Sequence, residues 1–176
     1  MKSSLNWSYN LAVKQLIFII FLFFNFQGVT FATSNCVNLI GHCEYYECLN
    51  REFICKKSNY FNNFAYKYCY KYQTEIYHKV DLKTQKWLTD VRSCLQDEIE
   101  KIDFNSDISC KKLKKYAFGT HSDCYVKTGF CELSGKNQFK VIKAMAKEFF
   151  RSSVIKEARE IAKACKWIKA NKSAFK

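Results

Sequence analysis

The chain has 176 residues, with 29 Lys+Arg against 16 Asp+Glu, ten cysteines, five glycines and no proline. So few turn-forming residues exclude most all-β architectures, and ten cysteines point to an oxidising compartment rather than a reducing cytosol. The net charge of +13 favours acidic partners, but no nucleic-acid-binding motif occurs, so nucleic acid is not among them.

Residues 1–34 have the layout of a secretory signal peptide. Lys2 and Lys14 supply the positive end, and Leu16 to Phe26 is an apolar run interrupted only by Asn25. Ala32 and Ser34 then occupy −3 and −1 of a cleavage site, and a cut after Ala32 fits nearly as well. The apolar run is short of the roughly 20 residues a spanning helix needs, so no stable membrane span is expected. The protein is expected outside the cell. Removing 34 of the 176 residues leaves 142, enough for a single domain over 35–176 with a modest core.

In that domain the apolar spacing is helical. Phe61, Phe64, Tyr68, Tyr72 and Ile76 recur at three and four residues, with Ala65 and Cys69 beside them. Trp87, Val91, Cys94, Leu95, Ile99 and Ile102 form a second stripe, with Asp81 as its candidate N-cap. Cys110, Leu113 and Ala117 predict a shorter helix, started by Ser106 or Asp107 and stopped at Gly119. Thr120 would cap the next segment, which runs through Cys124 to Cys131, with Gly129 as a break inside it. The stretch 117–125 is expected to serve as helix stop, cap and anchor for a cystine, the alternative being a loop presented to a partner. Beyond Ser134 the apolar stripe runs Phe139, Ile142, Met145, Phe149, Ile155, Ala158, Ala162, Cys165 and Ile168. This predicts one long helix, or two meeting near Ser152-Ser153. The expected fold is all-α: a small disulfide-stapled helical domain with a long basic C-terminal helix.

The charge is unevenly spread. Residues 135–176 hold 12 basic and 3 acidic side chains, whereas 35–134 hold 15 and 13. Lys136, Lys140, Lys143, Lys147, Arg151, Lys156, Arg159, Lys163, Lys166 and Lys169 form a candidate basic surface for a sulfated glycan, an anionic surface or an acidic protein. A solvated helix face would look the same. Asn171-Lys172-Ser173 makes Asn171 the one glycosylation candidate after the signal. Tyr45, Tyr46, Tyr60, Tyr66, Tyr70 and Tyr77 are too many for one buried face, so some should be surface contacts.

No catalytic residues stand out. His42, His78 and His121 are the only histidines, and no nucleophile elbow, glycine-rich phosphate loop or EF-hand loop occurs. Five disulfides would leave no thiolate for cysteine catalysis. Only His121 and Cys124 have ligand-like spacing and no Cys-x-x-Cys is present, so neither a metal nor a cofactor is expected. Asp97, Glu98 and Glu100 fit the polar side of a helix. A non-enzymatic protein is expected.

Several cysteines sit in recognisable company. Cys36-x6-Cys43-x4-Cys48-x6-Cys55 opens the domain, with Cys48-Leu49-Asn50 inside it. Tyr68-Cys69, Cys94-Leu95, an isolated Cys110, Cys124-Tyr125 six residues before Cys131, and Cys165 in the last helix follow. This order resembles stanniocalcin, a family of secreted glycoprotein hormones, over about residues 36–170. The resemblance implies the bridges Cys36–Cys48, Cys43–Cys69, Cys55–Cys110, Cys94–Cys124 and Cys131–Cys165. It also implies an extracellular signal or modulator that binds another protein, with calcium and phosphate homeostasis as the family's best-known theme. The family's dimer-forming cysteine lies beyond the equivalent of Cys165, and none occurs between Cys165 and Lys176; no disulfide-linked dimer is expected. The strongly basic C-terminal region favours an alternative role, a secreted effector or salivary gland protein acting on a host.

Overall fold

The computed structural model describes residues 34–53, 60–102, 108–148 and 150–171, with the side chains of 167 and 169–171 excepted. The chain divides into two units, 1–31 and 32–176, and every described residue belongs to the second. Among them there is no strand, so the domain is all-α, as the composition predicts. The apolar segment expected as a signal lies outside the described residues.

A 3₁₀ turn, Val37–Leu39, leads into α1, Glu44–Glu52. The next helical run, α2, spans 61–79 and changes pitch along its length. It is π-helical at Phe61–Tyr66, α-helical at Lys67–Lys71, π-helical again at Tyr72–Ile76, and ends in a 3₁₀ turn, Tyr77–Lys79. Then come α3, Leu82–Glu100; α4, Cys110–Gly119; and α5, His121–Lys127. After a 3₁₀ turn at Phe130–Glu132 the chain forms α6, Gly135–Ala144, and α7, Ser152–Asn171.

The start signals are partly those the sequence shows. Asp81 caps α3 by accepting the Thr84 N–H at 2.8 Å. The cap of α4 is Ser109, which accepts from the Lys112 N–H, while Ser106 and Asp107 lie outside the described residues. Thr120 makes no cap. Its hydroxyl instead donates back to the Ala117 carbonyl at 2.9 Å. The α5 N–H of Ser122 is satisfied by Glu157 from α7, at 3.2 Å. Gly129 does break the following segment: its φ of +99° is the left-handed conformation that a Cβ disfavours.

Two apolar cores lie along α3. Its first half contributes Trp87, Leu88 and Val91 to one core, with Val80, Phe130, Leu133 and Val141. Its far end contributes Ile99, and Ile102 just beyond it, to the other, with Tyr45, Leu49, Phe61, Phe64, Leu113, Phe118 and Val154. The second core is rich in ring contacts. Phe64 packs on Phe118 at 4.8 Å and on Tyr68 at 5.0 Å between centroids. Each such pair contributes about 0.5–1.5 kcal/mol beyond its area.

Disulfides join the elements across these cores. Cys36 bonds Cys48, Cys43 bonds Cys69, Cys94 bonds Cys124 and Cys131 bonds Cys165. These are the partners that the family resemblance implies. Their Cα–Cα distances of 5.0–5.8 Å fall in the usual range. They link the opening turn to α1, α1 to α2, α3 to α5, and the 130–132 turn to α7. Cys110 is also disulfide-bonded; its expected partner, Cys55, lies outside the described residues.

The C-terminal region takes the two-helix form. A 3₁₀ turn at Ala146–Glu148 separates α6 from α7, and α7 begins at Ser152. The rotation of α6 departs from the apolar stripe. Asn137, Val141 and Ala144 are its buried positions, with Glu148 buried just beyond, while Phe139 and Ile142 face outward. Phe149 is outside the described residues, and Ala162, expected inward on α7, is exposed.

Polar contacts decide that rotation. The Asn137 side-chain amide donates to Asp81 at 2.7 Å and to the Thr84 hydroxyl at 3.0 Å. At the other end, Glu148 accepts from the Tyr68 phenol at 2.5 Å and pairs with Arg151 at 2.6 Å. Tyr68→Phe should lower stability by about 1.5–3 kcal/mol, since a bond to a buried charge is lost and Glu148 keeps only Arg151. Urea unfolding of the oxidised protein measures this; an unchanged midpoint would contradict the anchoring role.

Candidate functional site

Because Asn137, Val141 and Ala144 turn inward, the opposite side of α6 carries apolar side chains into solvent. Phe139 is 64% exposed and Ile142 43%, and Phe150, just past the 3₁₀ turn, is 94% exposed. Isolated exposed apolar residues are ordinary. Here two large ones sit three positions apart on one short helix, and a third follows eight residues after Ile142, beyond the 3₁₀ turn. Lys136, Lys143 and Lys147 are exposed beside them. Phe139 and Ile142 thus share one outward side of α6 with exposed lysines on the same helix and the turn after it.

The helix that bears this face is held at both ends by α2 and α3. Ser134 caps its N-terminus by accepting from the Asn137 N–H at 3.3 Å. Its last carbonyls would otherwise lack partners. The Tyr72 phenol donates to Val141 O and the Lys71 ammonium to Ala144 O, both at 2.9 Å. A cation at that position also complements the helix dipole. The outer face is thus presented on a fixed element.

The ten candidate basic residues divide between two helices and the turn joining them. Lys140 is drawn aside, its ammonium donating to the Lys79 carbonyl. Arg151 is structural: besides Glu148 it lies 5.8 Å from the Phe64 ring centre. Lys163 pairs with Glu160 on the surface at 3.4 Å, a contact of little weight. Among the described residues Lys136, Lys143, Lys147, Lys156, Arg159 and Lys166 form no ion pair and are exposed. Lys169 and Asn171 lie in α7, with side chains outside the described set. Of the three acids in this region, Glu148 is buried and Glu157 is turned toward α5.

Of the tyrosines considered as surface contacts, Tyr45, Tyr46 and Tyr60 are core residues, whereas Tyr70 is 50% exposed. Burial pushes the Tyr46 and Tyr60 phenols well above the usual tyrosine range. The Tyr125 phenol, in the same interior, is pushed up to about 12 by burial. None of these is a ready proton donor.

Two adjoining cavities, of about 80 and 90 Å³, share Tyr72, His121, Tyr125 and Met145 as walls. Each is about half the ~150 Å³ that admits a benzene molecule. Arg92 lines the first; its Nε–H is buried without a partner, while another guanidinium N–H donates to Gln73 at 2.8 Å.

The histidines occupy separate places. His42 and His78 are exposed. His121 is half-buried, stacked on Phe118 at 5.6 Å, with Nδ1 2.7 Å from the Ala117 carbonyl. That contact requires a proton on Nδ1. In two places a pair of sulfurs and a carboxylate oxygen lie within 4.8 Å of one another: Cys36, Cys48 and Glu52, and Cys94, Cys124 and Glu98. In both the sulfurs are joined as a cystine, leaving no thiolate to hold a metal.

No family model, curated protein or solved structure matches this chain. Among the described residues, no helix is long and apolar enough to cross a membrane.

The His121 environment has a consequence for pH. Burial lowers its pKa from the ordinary 6.5, outweighing the opposing Ala117 carbonyl, Glu157 carboxylate and Phe118 backbone. The unfolded chain therefore takes up this proton first as pH falls. The stabilising difference is full above pH 6.5 and is lost as pH drops through the lower folded value. Melting temperature should fall between pH 7 and 5, and His121→Phe should flatten that part of the profile; an equally steep profile in the variant would contradict it.

Proposed function

We propose that the protein is a secreted, non-enzymatic, stanniocalcin-like signal or modulator that acts by binding another extracellular protein through the outer face of α6. The observation that carries this reading is the exposure of Phe139 and Ile142 among unpaired lysines on a helix fixed at both ends, with Phe150 exposed beyond the turn that follows it. A protein contact of this type has an apolar centre and a polar rim, and aromatic side chains supply much of the energy at such centres. The lysines at the rim call for an acidic counterpart and would speed its encounter. The bridges fit an oxidising compartment, which supports secretion. An effector acting on a host would use the same face and differ in the tissue that makes it and the target it meets.

A second reading, retention on a sulfated glycan or other anionic surface, is favoured by Lys156, Arg159 and Lys166 on α7, all exposed. The two readings differ in which side chains matter. Saturable binding of the labelled, secreted protein to intact cells of its own source or host should fall at least tenfold in the pair Phe139→Asp and Ile142→Asp. Its melting temperature should stay within a degree or two, because neither side chain is in the core. Lys156→Glu with Arg159→Glu should weaken binding less, and mainly at low salt. Binding that survives the first pair but is lost on heparinase treatment or with the second pair would replace the protein-partner reading with the glycan one. Binding unaffected by either pair would overturn both.

A further inference from the structure

Ser34 is only 5% exposed, and its contacts run inward. Its backbone N–H donates to Glu100 Oε2 at 2.8 Å, and its hydroxyl donates to Oε1 at 2.5 Å. The same hydroxyl accepts the Cys36 N–H at 3.1 Å, beside the Cys36–Cys48 bridge. Glu100 is itself 9% exposed, and its third donor is the Tyr45 phenol at 2.6 Å. Among the described residues no cation pairs with this carboxylate. A buried charge of this kind is tolerated only while its acceptor positions are filled. Ser34 fills two of the three contacts.

A signal peptidase cut after Ser34 would remove the residue that satisfies Glu100. A cut after Ala32 would keep it, and Ala32 is the small residue that the −1 position requires. The two units of the chain also divide just before Ala32. We propose that the leader is removed after Ala32, so that the mature chain begins at Thr33 and Ser34 stays as an internal ligand of Glu100. Water adds across the Ala32–Thr33 amide, leaving a carboxylate on Ala32 and an α-ammonium on Thr33. The cut precedes folding, so the later burial of Ser34 does not obstruct it. This rests on the secretion in the proposed function.

The full chain, expressed in a secreting eukaryotic cell and collected from the medium, decides the matter by intact mass and N-terminal sequencing. Thr33 as the first residue is the expected result. Secreted protein that begins at Asn35, or that retains the leader, overturns the proposal and leaves secretion standing. Chain confined to the cell with its leader attached overturns both. The role of the side chain is read separately: Ser34→Ala and Glu100→Gln should each lower the melting temperature by roughly 2–4 °C or more. The double variant should lose less than the sum, as contacting residues do. An unchanged Ser34→Ala melt, or additive losses, would overturn the role assigned to Ser34.

Discussion

The attachment of α6 through polar contacts at each of its ends is the constraint on which the functional reading depends. At its start, Asn137 is bonded to Asp81 and Thr84, the cap and first turn of α3. At its close, Tyr72 and Lys71 of α2 take up the Val141 and Ala144 carbonyls, and Glu148 is locked to Tyr68 and Arg151 a few residues later. These bonds fix not only where the helix lies but how it is rotated. Burying Asn137 and Glu148 without partners would be costly. With partners, they outcompete Phe139 and Ile142 for the inward positions, and the apolar side chains are left outside.

The same contacts explain how a small domain keeps one arrangement of short helices. The Asp81 carboxylate serves two elements at once, and its pKa lies below the usual carboxylate value because of its bonds to the Thr84 hydroxyl and N–H, helped by Asn137. α3 passes through both apolar cores, so its cap also sets the relation between them. The disulfides act at other points: α1 to α2, α3 to α5, and the 130–132 turn to α7. No bridge is seen on α6, which has no cysteine. Its place is held by hydrogen bonds and by the packing of Val141 and Ala144.

Fold class and most helix positions were legible in the sequence because they follow from apolar periodicity and from the scarcity of glycine and proline. Trp87, Val91 and Ile99 obey that rule, and so do Phe61, Phe64 and Tyr68, despite the π-helical turns around the latter set. Gly129 was legible for its conformational freedom. The outward turn of Phe139 and Ile142 was not. A stripe read from hydrophobicity treats asparagine and glutamate as surface residues, and nothing local tells that Asn137 meets a cap 53 and 56 residues away. The one available sign was that Asn137, Val141, Ala144 and Glu148 are themselves spaced as a helix face. Likewise Ser34 has the composition of a cleavage site, and only its contact with Glu100 marks it as part of the fold.

If the rotation of α6 is as described, the surface that would meet a partner includes Phe139 and Ile142, two side chains that periodicity assigned to the core. Carbene footprinting of the native, oxidised protein, read residue by residue by mass spectrometry, tests this directly. The account predicts heavy labelling of Phe139, Ile142 and Phe150, and protection of Val141 and Val154. Protection of Phe139 to the level of Val141 would contradict it, and the proposed binding face would go with it.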